Sequence, residues 1–235
     1  MIEYDFFLPL EDSIVFDYLR NVSDAIILKD IVARYDIRNV AFLQRLCRFL
    51  ADNVGSLVTA RKISTYLKSQ QIKISHNLVI DYLSYLSSAQ LVLPARRYDI
   101  AGKKIFKIGE KYYFEDLGIR HAMVGFNTSD INKIIENVIF THLKTAGYDV
   151  TVGQIGKKET DFVCEKQGEH LYIQAAYMIP DDKVRDREFG SLLAIPDNHP
   201  KKVVTMDPVI GGTYKGIEHV HLENFLLRIV GKTTN

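Results

Sequence analysis

Residues 131–178, INKIIENVIFTHLKTAGYDVTVGQIGKKETDFVCEKQGEHLYIQAAYM, decide the fold, because their hydrophobic period changes partway along. Ile131, Ile134, Ile135, Val138, Ile139, Leu143 and Ala146 recur at helical spacing and share one face. Ser129 or Asp130 is placed to cap this helix, and Gly147 to end it. The period then drops to two. Tyr148, Val150 and Val152 alternate, the Gly156-Lys157-Lys158 turn follows, and Thr160–Glu165 and Leu171–Met178 read as two further strands.

Downstream, 182–195 reads as a helix with Phe189, Leu192 and Leu193 inward, broken by the prolines at 196 and 200. Val203–Met206 and Gly216–His221 read as strands, and Leu222–Val230 as a closing helix. The order α-β-β-β-α-β, then β-α, implies a mixed sheet flanked by helices, in the α/β (α+β) class. The polar stretch 121–130 is the natural boundary, so this domain is expected over 121–235.

Upstream, Val40, Leu43, Leu46, Cys47, Leu50 and Val54 form one apolar stripe that stops at Gly55. Thr59 can cap a short helix burying Ile63, Tyr66 and Leu67, and Ser75 a third helix carrying Leu78, Val79, Tyr82, Leu83 and Leu86. Three helices with a short turn before the last make a helix-turn-helix. A hairpin follows: Leu91–Leu93 and Arg96–Ile100 lead into a turn at Ala101-Gly102, and Lys104–Ile108 returns towards Tyr112–Phe114. A winged helix is therefore expected over 39–120. Residues 1–38 read as helix, through Ile14, Val15, Tyr18, Leu19 and Val22 and then Ile26, Ile27, Ile31 and Val32. So short an apolar segment needs a partner and suggests a connector to something upstream.

The formal net charge of +1 conceals an asymmetry: residues 61–119 hold 10 basic and 5 acidic side chains. Such a local surplus points to a polyanion. Arg61, Lys62, Lys68 and Lys73 lie on or near the helix before the turn, and Arg96, Arg97, Lys103, Lys104, Lys107 and Lys111 on the hairpin. These can reach phosphates, which fix position without reading sequence. The third helix offers His76, Asn77, Asp81 and serines but no arginine, so non-specific duplex binding is the expectation, with a solvated face or a protein partner as alternatives. No apolar run approaches the roughly 18 residues of a membrane span. Cys47 and Cys164 are the only cysteines, which excludes a disulfide scaffold and a cysteine zinc site; a reduced, cytoplasmic setting is expected.

Chemistry gathers in the second domain. Glu136 lies about 110° from the centre of its helix's apolar face, at the edge where a carboxylate reaches over the sheet. Asp161 sits in an apolar strand and Gln174 on the next one. Two carboxylates and a carbonyl are a minimal oxygen donor set for Mg²⁺. The bland alternatives are a strand-end Asp161 paired with a lysine such as Lys158, and Gln174 as a satisfied buried amide. His219 and His221 share a strand face without a third ligand.

This arrangement resembles the PD-(D/E)xK restriction-endonuclease-like fold. Its motif is an Asp on the second strand, Glu-x-Lys on the third and often a Glu on the first helix. Glu136 and Asp161 match, but the Glu-x-Lys position reads Gln174-Ala175-Ala176. Each loss is worth a hundred-fold or more in rate, by order of magnitude. The resemblance therefore implies a nuclease-like domain with little or no cleavage. The runs Ile27–Val32, Tyr113–Arg120, Glu136-Asn137 and Glu159–Val163 are also similar to the C-terminal half, DUF4143, of a prokaryotic AAA-type ATPase family. That likeness implies a P-loop module upstream as partner, with ATP bound only there; no Gly-x-x-x-x-Gly-Lys-Ser/Thr occurs in this chain.

Overall fold

In the computed structural model, which describes residues 10–72, 74–208 and 212–231, short polar side chains start the helices. Asn39 Oδ1, Thr59 Oγ1 and Ser75 Oγ accept the backbone N–H of Phe42, Lys62 and Leu78 at 3.0, 3.0 and 3.2 Å. Each satisfies one of the donors that a helix N-terminus leaves orphaned. They open α2 (Val40–Asp52), α3 (Ala60–Ser69) and α4 (His76–Ser88). Before them, α1 (Asp12–Ala25) runs into a π-helical stretch, Ile26–Val32. In the π-helical stretch Ile27 and Ile31 are buried, whereas Ile14 and Tyr18 of α1 are half exposed.

The chain divides into two units, one of residues up to Pro94 with Lys111–Thr128, the other of Ala95–Glu110 with the chain from Ser129 on. The first unit contains a helix that was read as the start of a polar connection, α5 (Leu117–Val124), capped by Asp116 Oδ1 on the Ile119 N–H at 3.0 Å. Its Arg120 is 1% exposed. The guanidinium donates from Nε to the Ala51 carbonyl at 3.0 Å and from Nη1 to Gly125 at 3.3 Å. Ala51 lies in the last turn of α2, where carbonyls lack helical partners and a cation meets the negative end of the dipole. A buried arginine is tolerable there because it answers orphaned acceptors.

The strands β1 (Val92–Asp99) and β2 (Lys104–Phe114) form the expected two-stranded hairpin. Its distal part, residues 95–110, clusters with the second unit. There β1 runs parallel to β3 (Asp149–Ile155), with Arg97 opposite Val152 and Asp99 opposite Gln154. Buried Ile100 in the turn packs into that unit's core. The remaining strands are β4 (Lys158–Lys166), β5 (Glu169–Ala175), β6 (Lys201–Thr205), β7 (Thr213–Tyr214) and β8 (Ile217–His221). Among the described residues the sheet order is β2-β1-β3-β4-β5-β6-β8-β7. β3, β4 and β5 are successively antiparallel, and β5, β6 and β8 parallel. The second unit is thus a mixed α/β sheet, with helices α6 (Ile131–Thr145), α7 (Asp182–Leu193) and α8 (Leu222–Gly231).

Alternation along the strands sorts the helices. Val163, Tyr172 and Val203 share a core with Phe189 and Leu192 of α7. Phe162, one residue from Val163, meets Phe140 of α6 with ring centroids 5.9 Å apart, so α6 covers the opposite face. Asp130 precedes α6 but makes no side-chain cap there; its carboxylate holds Lys133 at 3.3 Å instead. Gly153 lies beside the irregularity in β3, where the backbone runs close to its neighbours: a Cβ would stand 2.7 Å from Val163 Cγ2 and 3.0 Å from Ile100 Cδ1. Gly153→Ala should cost about 1–3 kcal/mol by overpacking. Urea unfolding checks this: a lowered midpoint at constant slope is expected, and an unchanged midpoint contradicts the close approach.

Candidate functional site

The second unit's polar centre lies where two strands part. β4 and β5 pair from Lys166 opposite Glu169 as far as Phe162 opposite Ile173. On its other side β5 pairs with β6 from Tyr172 opposite Lys201 to Ala175 opposite Val204, so past Ile173 it keeps β6 while its pairing with β4 ends. Backbone donors at the fork still need acceptors in a buried place. Side chains supply them. The Ala175 N–H donates to Asp161 Oδ2 at 2.9 Å, and the Asp161 N–H to Gln174 Oε1 at 3.3 Å.

Helix α7 closes the cluster. Ser191 Oγ donates to Gln174 Oε1 at 3.1 Å, and Gln174 Nε2 donates to Glu188 Oε2 at 3.1 Å. Glu188, 6% exposed, takes the Arg187 guanidinium on its other oxygen at 2.6 Å. Asp161 and Gln174 are therefore brought together, and Glu188 and Ser191 join them. Sequence reasoning passed over both α7 residues. The signal was present: positions 188, 189, 191 and 192 lie on the inward side of a helix whose Phe189 and Leu192 were read as core.

Glu136 is half-buried on α6, which covers the other face of the sheet. The donor set does not suit Mg²⁺. Gln174 Oε1 already accepts from the Asp161 N–H and the Ser191 hydroxyl, and one of its amide N–H groups donates to Glu188. Among the described residues no three His, Cys, Asp or Glu side chains are grouped as metal ligands. Ala176 is 4% exposed and its N–H donates to the Val204 carbonyl at 3.0 Å.

The basic block divides between the units. Arg61 and Lys62 are exposed in the first turn of α3. On the distal hairpin Lys103 and Lys104 are exposed at the turn, and Arg96 is exposed 3.7 Å from Glu110. Arg97 is withdrawn: it bonds Gln154 and lies 4.8 Å over the Phe106 ring. Lys111 is 4% exposed. Lys73 and the side chain of Lys107 lie outside the described residues. The outward face of α4 carries His76, Asn77, Leu78, Ile80 and Asp81.

A cavity of about 400 Å³ opens beside α7, among Asp181, Arg185, Tyr214 and His219. His219 Nε2 lies 2.8 Å from Thr205 Oγ1. Burial pushes its pKa below the ordinary histidine value, against the opposing pull of Asp207. Both cysteines are free and buried, and burial pushes the Cys47 thiol up to about 12. Among the described residues no helix is long and apolar enough to cross a membrane.

A family model described as "Domain of unknown function (DUF8612)" matches residues 10–130, and the chain belongs to that family. This corrects the likeness to the DUF4143-type C-terminal half of an ATPase: the family shown is DUF8612. An uncharacterised protein of Haemophilus influenzae is 36% identical over 220 residues, covering 94% of this chain and 53% of the relative. The uncharacterised protein MJ1544 of Methanocaldococcus jannaschii is 26% identical over 182 residues, covering 76% and 40%. The chain thus spans about half the length of the curated relatives it matches. The crystal structure of protein VC1899 from Vibrio cholerae aligns with 95% of this chain and 57% of its own at 11% identity and a TM-score of 0.26.

Replacing Gln174 with leucine strips a partner from Asp161, Ser191 and Glu188 at once. A loss of about 2–4 kcal/mol is expected in denaturant unfolding, and a loss below about 0.5 kcal/mol would contradict the network. His219 sets a pH dependence. Its folded pKa lies below the unfolded value of 6.5, so the unfolded chain takes up a proton first. Stability should hold above pH 6.5 and decline as pH falls from there towards the folded pKa. His219→Gln should flatten that part of the profile, measured by thermal unfolding across pH; an unaltered decline would assign it elsewhere.

Proposed function

For this DUF8612 protein we propose a role in holding nucleic acid without cutting it. The first unit is a helix-turn-helix, and the second a PD-(D/E)xK-like sheet whose cleavage chemistry is lost. The observation that carries this reading is the fork at Asp161 and Gln174. The order α6-β3-β4-β5-α7-β6 is the core order of that nuclease fold, and the fork lies where its motif belongs. An amide stands for the second carboxylate and Ala176 for the lysine. The cations left to solvent, Arg61 and Lys62 on α3 and Arg96, Lys103 and Lys104 on the hairpin, supply phosphate contacts. With no arginine on α4, binding is expected to be indifferent to sequence.

Fluorescence anisotropy with unrelated duplexes tests this. Dissociation constants of about 10⁻⁶–10⁻⁴ M, alike across sequences and weakening steeply with salt, are expected. Lys103→Ala with Lys104→Ala should weaken all duplexes alike and reduce the salt slope by up to ~2. Duplexes incubated with Mg²⁺ or Mn²⁺ should stay intact; products that vanish in Asp161→Ala would restore the nuclease reading.

A second reading has its own observation. Leu78 and Ile80 are 36% and 47% exposed at opposite edges of the outward face of α4, apolar side chains that suit a protein partner better than a groove of DNA. Absence of any duplex binding at low salt would reject the first reading and leave this one.

A further inference from the structure

We propose that the first unit carries a binding site for a small phosphorylated molecule, in the groove between α1 and α2. A groove of about 510 Å³ opens there, within the range of small-ligand sites, about 300–1,000 Å³. The inference rests on this unit alone and is independent of the nucleic-acid reading.

The sequence makes the groove polar where helix pairs are ordinarily apolar. Arg20, Ser23, Asp24 and Ile27 line one wall, at positions i, i+3, i+4 and i+7 of the α1 run. Gln44, Arg45 and Arg48 line the other, at i, i+1 and i+4 of α2. Residues so spaced lie on one helix face. Both helices pack on α5, which contributes Ala122 and Met123 to the groove. Two helices whose facing stripes were meant to touch would carry leucines or alanines in most of these places. Instead three guanidinium groups and the Asp24 carboxylate line a shared space, and with Arg20 paired to Asp17 a single positive charge is left in excess.

The chemistry that matches is compact and multiply anionic. Arginine's planar fork suits phosphate oxygens, and bidentate contacts add geometric selectivity. Arg20 is answered within α1, donating from Nη1 to Asp17 Oδ1 at 2.5 Å, which leaves Arg45 and Arg48 to meet a ligand. Arg45 and Arg48 are exposed and take part in no described ion pair, so a ligand would supply their counter-charge. The wall is also irregular: Ile27 belongs to the π-helical stretch Ile26–Val32, a winding that recurs at functional sites. Cys47 in the lining is buried, and its thiol, held neutral by that burial, is not a nucleophile for the bound molecule.

Isothermal titration of the full chain at about 50 mM salt tests the proposal, with inorganic pyrophosphate and AMP as probes and adenosine as the uncharged control. Pyrophosphate and AMP should bind one per chain with dissociation constants of about 1 mM or tighter, and adenosine should give no heat. Arg45→Gln with Arg48→Gln should weaken both by at least tenfold while the unliganded melting temperature stays put, both side chains being exposed. Gln44→Glu, which adds a negative charge without removing an arginine, should weaken them as well and serves if the double variant misfolds. Failure of both phosphorylated probes to bind, or undiminished binding by the variants, would overturn the proposal.

Discussion

One geometric constraint governs the second unit: β5 loses its antiparallel partner β4 past Ile173 while its parallel pairing with β6 continues to Ala175. There the backbone groups of β4 and β5 no longer answer each other, beside a buried Asp161 and a half-buried Gln174. Asp161 and Gln174 answer instead, each accepting the other strand's N–H. Once Gln174 is committed there, its remaining capacity sets what α7 must bring, and Glu188 and Ser191 bring it. The polar cluster is thus required by the topology before any chemistry is asked of it.

That requirement separates two readings of the same residues. A cleaving site needs an acceptor with lone pairs to spare and a cation poised at the fork. The arrangement here spends the Gln174 amide on the sheet and on α7. On the proposed nuclease-like reading, Ala176 then stands where a lysine would be, and the exposed cations of the hairpin turn and α3 would be left to hold a phosphodiester, because phosphate contacts need charge and reach rather than exact placement.

The long periodic elements were legible in the sequence: the helix from Ile131, the strands around Val150, Phe162 and Ile173, and the caps at Thr59 and Ser75 all fall where their patterns put them. The hairpin β1–β2 was legible as a hairpin, yet its parallel pairing with β3 joins residues more than fifty positions apart and leaves no local trace. Helix α5 was missed because its second half falls in the stretch 121–130, read as a polar connection; Arg120 turns inward to answer the carbonyls of Ala51 at the end of α2 and of Gly125. Counting charges also overstated the exposed basic surface. Arg97 finds Gln154 and Phe106, and Lys111 is buried, and neither fact is written in the spacing. The family assignment failed for a related reason: short motif runs in the right order were shared with DUF4143, while the match over 10–130 is to DUF8612.

The central claim is that the fork's oxygens are spent on the fold and do not hold a divalent ion. Electron paramagnetic resonance of Mn²⁺ titrated into the protein tests it most directly. The free-ion signal should rise in proportion to added metal, with no stoichiometric uptake below about 1 mM. Uptake of one ion per chain that disappears in Asp161→Asn would contradict it.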